Sequence, residues 1–443
     1  MIAVIILLIL FLGIIDSSIA SGIISSGMYL LGAALLICSC NKDNRRLSFR
    51  LYNIIFAVYL VCAFIVSRSF SVTDNFLVSD SSRYIESYMN SSFLLFDKED
   101  FINHYLAFSD SNVLYNTYLN AVAMYVNESL GGMTVFGMTL CQTIWGILAA
   151  FVLFRILARH VDPQKAFQLT LVFAFCSLFL FYSTVIIRDI IICYLYLLAF
   201  DIVDQKFKLS GLIKLILIIV ATTGIRLYSG FFMITFLAYY IYARMYKSWL
   251  RHIASAIFIV VLIVAAGSIL ASDIVEQTFA EMEEYTELAA ERSAGGMVSK
   301  LQSLPPGISH IAIVLFTMIR PLPPFSIYIG AETFSHFTMS TMHLIAGCFW
   351  FVIFFSLCYQ LFVRRYISKI PFERVVLLLV CLVFMLANAS HPDIRRMLPV
   401  FPILYVQFVD ICNHKKEPIM GSGISKGLIT CYIIMAFGLL VIM

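Results

Sequence analysis

Charge is the scarcest commodity in this sequence. Asp, Glu, Lys and Arg make up 13% of its 443 residues, against 61% hydrophobic, and the mean hydropathy is +0.93. A soluble domain does not have so little polar surface to show to water. No polar stretch is long enough to bury a core of its own, which excludes a large soluble domain. The eleven cysteines have no metal-ligand spacing. They fall within or at the ends of apolar runs, and read as small core residues rather than disulfides or ligands. Residues 1–20 lack the positively charged start of a cleaved signal and lead straight into a second apolar run, so they are expected to be a retained helix. No internal repeat is visible, which argues against transporters built from paired inverted halves. The net charge of +4 gives no footprint for nucleic acid.

Apolar runs fill what remains. A spanning helix needs about 20 mostly apolar residues. The runs 2–18, 22–40, 51–66, 133–157, 166–183, 186–203, 212–224, 228–242, 253–271, 343–363, 372–388, 397–412 and 428–443 meet or approach that length. A further run, 311–329, is broken by Arg320-Pro321-Leu322-Pro323-Pro324. The fold class expected is all-α: one polytopic integral-membrane domain over 1–443 with about thirteen transmembrane helices. Short basic loops, around Arg45 and Arg46, Arg159 and Lys165, Lys206 and Lys208, Arg364 and Arg365, and Lys415 and Lys416, mark the cytoplasmic side. Two long polar loops, about 67–130 and 272–342, then face outward. Each carries an amphipathic helix, at 114–126 and at the acidic 281–291.

This threading sorts the remaining cations. Arg188, Arg226, Arg320, Arg395 and Arg396 all fall on the outer side, where the positive-inside rule disfavours them. Ionisable groups placed against that bias in apolar sequence are functional candidates. Arginine stays charged and grips phosphate oxygens with a two-pronged geometry. In Ser390-His391-Pro392-Asp393-Ile394-Arg395-Arg396, Pro392 suits the first position of a helix, whose N-terminus would add to the positive charge. His391 stands beside it as a titratable base. Plainer readings exist for each. Arg188 could pair with Asp189, although adjacent helical residues do not face one another. Arg226, Arg395 and Arg396 could be headgroup anchors, and the acidic helix a solvated face. Asp80 opens the first outer loop, with Tyr84 one turn later.

These residues resemble a family. The outer loop with Asp80 and Tyr84, the span opening with Arg188-Asp189, the Arg226 turn, Arg320-Pro321 and the late His391…Arg395-Arg396…Pro399…Pro402 are similar to motifs of polysaccharide polymerases of the Wzy and EpsG type. The likeness covers most of the chain through sparse motifs. It implies a GT-C-like, metal-independent membrane glycosyltransferase without a cofactor, facing the periplasm or cell exterior from the bacterial inner membrane. Its substrate would be undecaprenyl-diphosphate-linked oligosaccharide repeats, polymerised into O-antigen or a related surface polysaccharide. The implied partners are that lipid-linked oligosaccharide, the bilayer and a chain-length regulator protein.

The arginines would stabilise charge gathering on the leaving diphosphate. His391 would accept the proton of the acceptor hydroxyl, with Asp80 or Asp189 as fallback bases. Tyr84, Tyr115 and Tyr118 would stack on sugar faces. O-antigen ligases share this plan but carry one dominant late outer loop, whereas this chain has two of comparable length. Two other readings stay open. One is a lipid-linked oligosaccharide flippase or other transporter, which needs charged or broken segments near the midplane. The other is a glycosyltransferase using a polyprenyl-monophosphate sugar, in which Asp80 outweighs His391.

Overall fold

The computed structural model describes residues 2–39, 44–69, 81, 84–85, 114–115, 118–119, 134–206, 208–242, 300–301, 303–305, 308–320, 327–388, 394–414 and 423–442. Asp80, His391 and most of both predicted outer loops lie outside these residues, as do the predicted span 253–271 and the Pro321–Pro324 break.

The described secondary structure is helical throughout. In chain order the helices are α1 (Ile2–Ile15), α2 (Ile19–Ser39), α3 (Arg45–Ser67), α4 (Val135–His160), α5 (Pro163–Cys176), α6 (Leu178–Ser183) and α7 (Asp189–Val203). They continue with α8 (Leu209–Ile225), α9 (Leu227–Tyr242), α10 (Ile308–Ile319), α11 (Phe334–Cys358), α12 (Phe372–Ala387), α13 (Phe401–His414) and α14 (Gly423–Ile442). Four stretches, Ile19–Leu36, Arg45–Ser67, Val135–His160 and Phe334–Val363, are long and apolar enough to cross a membrane. The protein is therefore an all-α membrane protein. Among the residues whose side chains are described, nine cysteines are free thiols.

Local sequence explains the helix starts. Thr134 caps α4 by accepting from the Gly137 N–H at 3.1 Å, and Asp162 caps α5 from Gln164 at 3.0 Å, with Pro163 in the first turn. The predicted span 166–183 is two helices. Ser177 ends α5 and caps α6, accepting from the Phe179 N–H at 3.2 Å. The last predicted outer loop ends early, because Thr333 caps α11 by accepting from the His336 N–H at 3.1 Å. His336 falls in that expected loop and His343 opens the expected span 343–363, and both lie on α11. Arg45, Arg46 and Arg50 sit on α3 rather than in a loop. The helix expected to open at Pro392 is, from Ile394 to Val400, a 3-10 turn, and the α-helix begins only at Phe401.

Helices α4 and α7 form the centre. Most of both is buried, and α4 packs on α2, α3, α5, α7 and α13. Their hydroxyl and ring partners lock neighbours across the core. Tyr59 of α3 donates to the Ala174 carbonyl at 3.0 Å, Tyr196 of α7 to Ser229 at 2.8 Å, and Tyr405 of α13 to Leu169 at 3.1 Å. Trp350 of α11 stacks on Phe401 with centroids 3.9 Å apart. In an apolar bundle surrounded by lipid such polar bonds and close packing hold helices together, since burying more hydrocarbon gains little there.

Two sets of helix ends gather at opposite ends of this centre. At one, Asp16 in the α1–α2 turn accepts from Ser21 and Thr134, each at 2.6 Å, and from Arg68 at 3.1 Å. This ties the α1–α2 turn to the end of α3 and the start of α4. The other set holds the C-terminal ends of α4, α7 and α13 and the start of α12. In the threading expected from the basic loops, these two sets fall on opposite sides of the membrane.

Candidate functional site

The site begins with a break in helical backbone. Between α6 and α7 the chain runs through Thr184–Arg188 without helical structure, with Val185, Ile186 and Ile187 almost wholly buried. Non-helical backbone at such depth must find partners within the protein. Here the Ile186 carbonyl accepts from the Ser81 hydroxyl at 3.2 Å, and the Ile187 carbonyl accepts from the Gln142 amide of α4. The Ile187 N–H donates to the Val185 carbonyl at 3.1 Å.

This bend delivers Arg188 and Asp189 to the mouth of α7. Arg188 is the N-cap, its carbonyl accepting from the N–H groups of Ile191 and Ile192. Asp189 occupies the first turn, where a carboxylate is favoured by the helix dipole. Its partner is not adjacent Arg188 but Arg226, whose Nη1 donates to Oδ1 at 2.6 Å, with side chains 2% and 6% exposed. Arg226 reaches it from the α8–α9 corner, where it is the extended C-cap of α8. The corner is tight because Gly230 has no side chain. A Cβ there would lie 2.0 Å from Thr223 Oγ1 and 2.6 Å from Thr223 Cα.

A second guanidinium and a third reach the same carboxylate. Arg188 and Arg395 both act on Asp189 electrostatically. Arg395 is brought near by the 3-10 turn Ile394–Val400, which packs along α7 with the Cys193 thiol facing the Leu398 carbonyl at 3.6 Å. Arg188 Nη1, Arg226 Nε and Arg395 Nε are shielded from solvent. Three arginines thus gather around one carboxylate.

Tyr115, from the loop expected to face outward, stands beside this cluster. Tyr115 is fully buried and lies within electrostatic range of Asp189 and Arg188. Its ring meets Tyr84 edge-on at 5.0 Å, and its hydroxyl approaches Gln142 Oε1 at 3.4 Å. Tyr118 donates to the Cys141 carbonyl at 2.6 Å and accepts from the Trp145 indole at 3.2 Å.

Among the sequence candidates, the structure joins Arg188, Asp189, Arg226, Arg395, Tyr115 and its ring partner Tyr84, and places Tyr118 next to Tyr115. Arg396 is half-buried on the same turn as Arg395. Arg320 ends α10, exposed and 5.4 Å from the Phe316 ring, on an element that packs chiefly on α11 and α12. Asp189 accepts a hydrogen bond from Arg226, and Tyr115 is wholly buried, whereas Tyr84 and Tyr118 are half-buried. Gln142 was missed. Its signal was a lone amide inside the apolar stretch of α4.

A second charged cluster occupies the other end of α7, about 22 Å away at 1.5 Å per residue. Asp201 is held by Arg155 and Arg159, Asp204 by Arg159 at 3.0 Å and Arg374 at 3.5 Å, and Asp410 by Arg374 at 3.8 Å. His160 stands between Asp204 and Asp410 at 3.1 and 3.2 Å. Burial would raise the Asp204 carboxyl, but the His160 hydrogen bond and charge, with Arg159 and Arg374, outweigh it and hold the group below the usual range. A cavity of about 230 Å³ opens beside it, lined by Phe200, Asp204, Lys206, Tyr239 and Arg374. Here each carboxylate has its cation, so the cluster reads as a clasp on α4, α7, α12 and α13. Among the described residues no three His, Cys, Asp or Glu side chains gather as metal ligands.

Comparison with protein-family models, with curated proteins and with solved structures returned no significant match.

Proposed function

We propose that this protein is a membrane glycosyltransferase that polymerises oligosaccharide repeats carried on undecaprenyl diphosphate. The observation carrying this reading is the gathering of Arg188, Arg226 and Arg395 around a single carboxylate, next to a tyrosine of the first outer loop. A gathering of guanidinium groups, one buried and two half-buried, suits a diphosphate, because low dielectric strengthens the attraction and arginine cannot shed its proton. The reading takes the bundle as GT-C-like with about thirteen spans. Its site faces the outer side of the bacterial inner membrane, with a chain-length regulator as partner.

In this mechanism an acceptor sugar hydroxyl attacks the anomeric carbon of the donor repeat. The bond from that carbon to the diphosphate oxygen breaks, and the diphosphate leaves with the electron pair. Arg188, Arg226 and Arg395 stabilise the charge it gathers. The hydroxyl proton passes to His391, four residues before Arg395 and so within about 14 Å of it along the chain. Asp80 is the alternative base, and the one that matters if the donor is a polyprenyl monophosphate. Tyr84 and Tyr118 line the sugar side.

The test is turnover by purified protein in detergent, with lipid-diphosphate repeat units and EDTA. A ladder of extended chains is expected, lost in the His391→Ala variant. Transport of the lipid-linked sugar across vesicles without any glycosidic bond would overturn the reading in favour of a flippase.

A further inference from the structure

The cluster around Asp189 is held in place by a group that carries no charge. Gln142 lies on α4, wholly buried, in sequence that is otherwise largely apolar. An amide at that depth is costly unless both of its ends are satisfied. Its Nε2 donates to the Ile187 carbonyl, the residue immediately before Arg188, and its Oε1 faces the Tyr115 hydroxyl. Turning the amide over would set its oxygen against the Ile187 carbonyl, so the bend fixes its orientation. One side chain thus joins the α6–α7 bend to the first outer loop, on either side of the arginine cluster.

We infer that Gln142 is a positioning residue of the anion site, acting through Arg188. By holding the Ile187 carbonyl it fixes the backbone from which Arg188 projects, and by meeting Tyr115 it registers the outer loop against that arginine. This rests on the proposed binding of a lipid diphosphate.

The test is a double-mutant cycle on the purified full chain, read as affinity for a short prenyl diphosphate in detergent micelles. Gln142→Leu should weaken binding about tenfold, the size of one well-placed hydrogen-bonding contact. In an Arg188→Ala background the same change should cost nothing further, whereas in an Arg395→Ala background the tenfold loss should remain. Tyr115→Phe should cause a smaller loss that vanishes when combined with Gln142→Leu. Gln142→Met, close in length and volume, repeats the cycle if the leucine variant does not fold. An equal loss in the Arg188→Ala background would make Gln142 a general packing residue and overturn the inference, as would no loss at all. A wild-type chain that binds no prenyl diphosphate would overturn the anion site itself. Wild-type binding that ignores Gln142 would remove only Gln142.

Discussion

The two ends of α7 carry the same kinds of side chain in different proportions. At the C-terminal end, Asp201, Asp204 and Asp410 face Arg155, Arg159 and Arg374 with His160 between them, one aspartate matched to each arginine. At the N-terminal end, the carboxylate among Arg226, Arg188 and Arg395 is, within the described residues, that of Asp189. The matched cluster ties helices together. The arginine-rich one is where we propose that an anion binds. Position on one rigid helix makes the contrast a controlled one, because both clusters share the packing of α4 against α7.

The largest effect should come from breaking the pair of Asp189 and Arg226. Arg226→Ala leaves Asp189 buried without its hydrogen-bonded cation, a loss of about 3–5 kcal/mol for a pair of this kind. Unfolding in detergent should register it, and turnover should disappear with it. Asp189→Leu combined with Arg226→Met removes both charges and should recover much of that stability while leaving turnover absent. Next in size, Arg188→Ala and Arg395→Ala should each lower turnover about 100-fold to 1000-fold, as loss of a preorganised charge does, with a far smaller change in unfolding.

At the matched end the order should reverse. Asp201→Asn weakens the hold of Arg155 and Arg159 and should cost about 1–3 kcal/mol in unfolding, with turnover per folded molecule unchanged. The smallest effect is on acid stability. The folded pKa of Asp204 is depressed. Its contribution is therefore fully present above the unfolded carboxylate value, about 4, and is lost as pH falls through the lower folded value. Wild-type stability should drop more steeply below about pH 4 than that of Asp204→Asn. Equal slopes would remove Asp204 from the clasp.

The difference between the ends was only half legible in sequence. Arg188, Arg226 and Arg395 stood out because they lie on the side where cations are disfavoured, and Arg188-Asp189 marked the mouth of a helix. Which arginine pairs with Asp189 was not legible. Arg226 lies 37 positions away, and only the α8–α9 corner brings it in. The matched end is hidden in the sequence for the opposite reason. Arg159 lies on the expected cytoplasmic side, where cations are ordinary, and the aspartates that Arg155 and Arg159 meet, Asp201 of α7 and its C-cap Asp204, are more than 40 positions away. Breaks in apolar runs were misjudged where one polar side chain suffices to make them, as at Ser177 and Thr333. A polar residue on a long helix likewise reads as loop, as with His336 on α11.

The account stands or falls on turnover of undecaprenyl-diphosphate repeat units by two purified variants, Arg395→Ala and Asp204→Asn, compared at equal amounts of folded protein. It predicts that the first makes at least about 100-fold less polymer than wild type, while the second makes polymer at the wild-type rate. Equal rates in the two variants would mean that Arg395, like the arginines of the matched end, serves only to hold helices together.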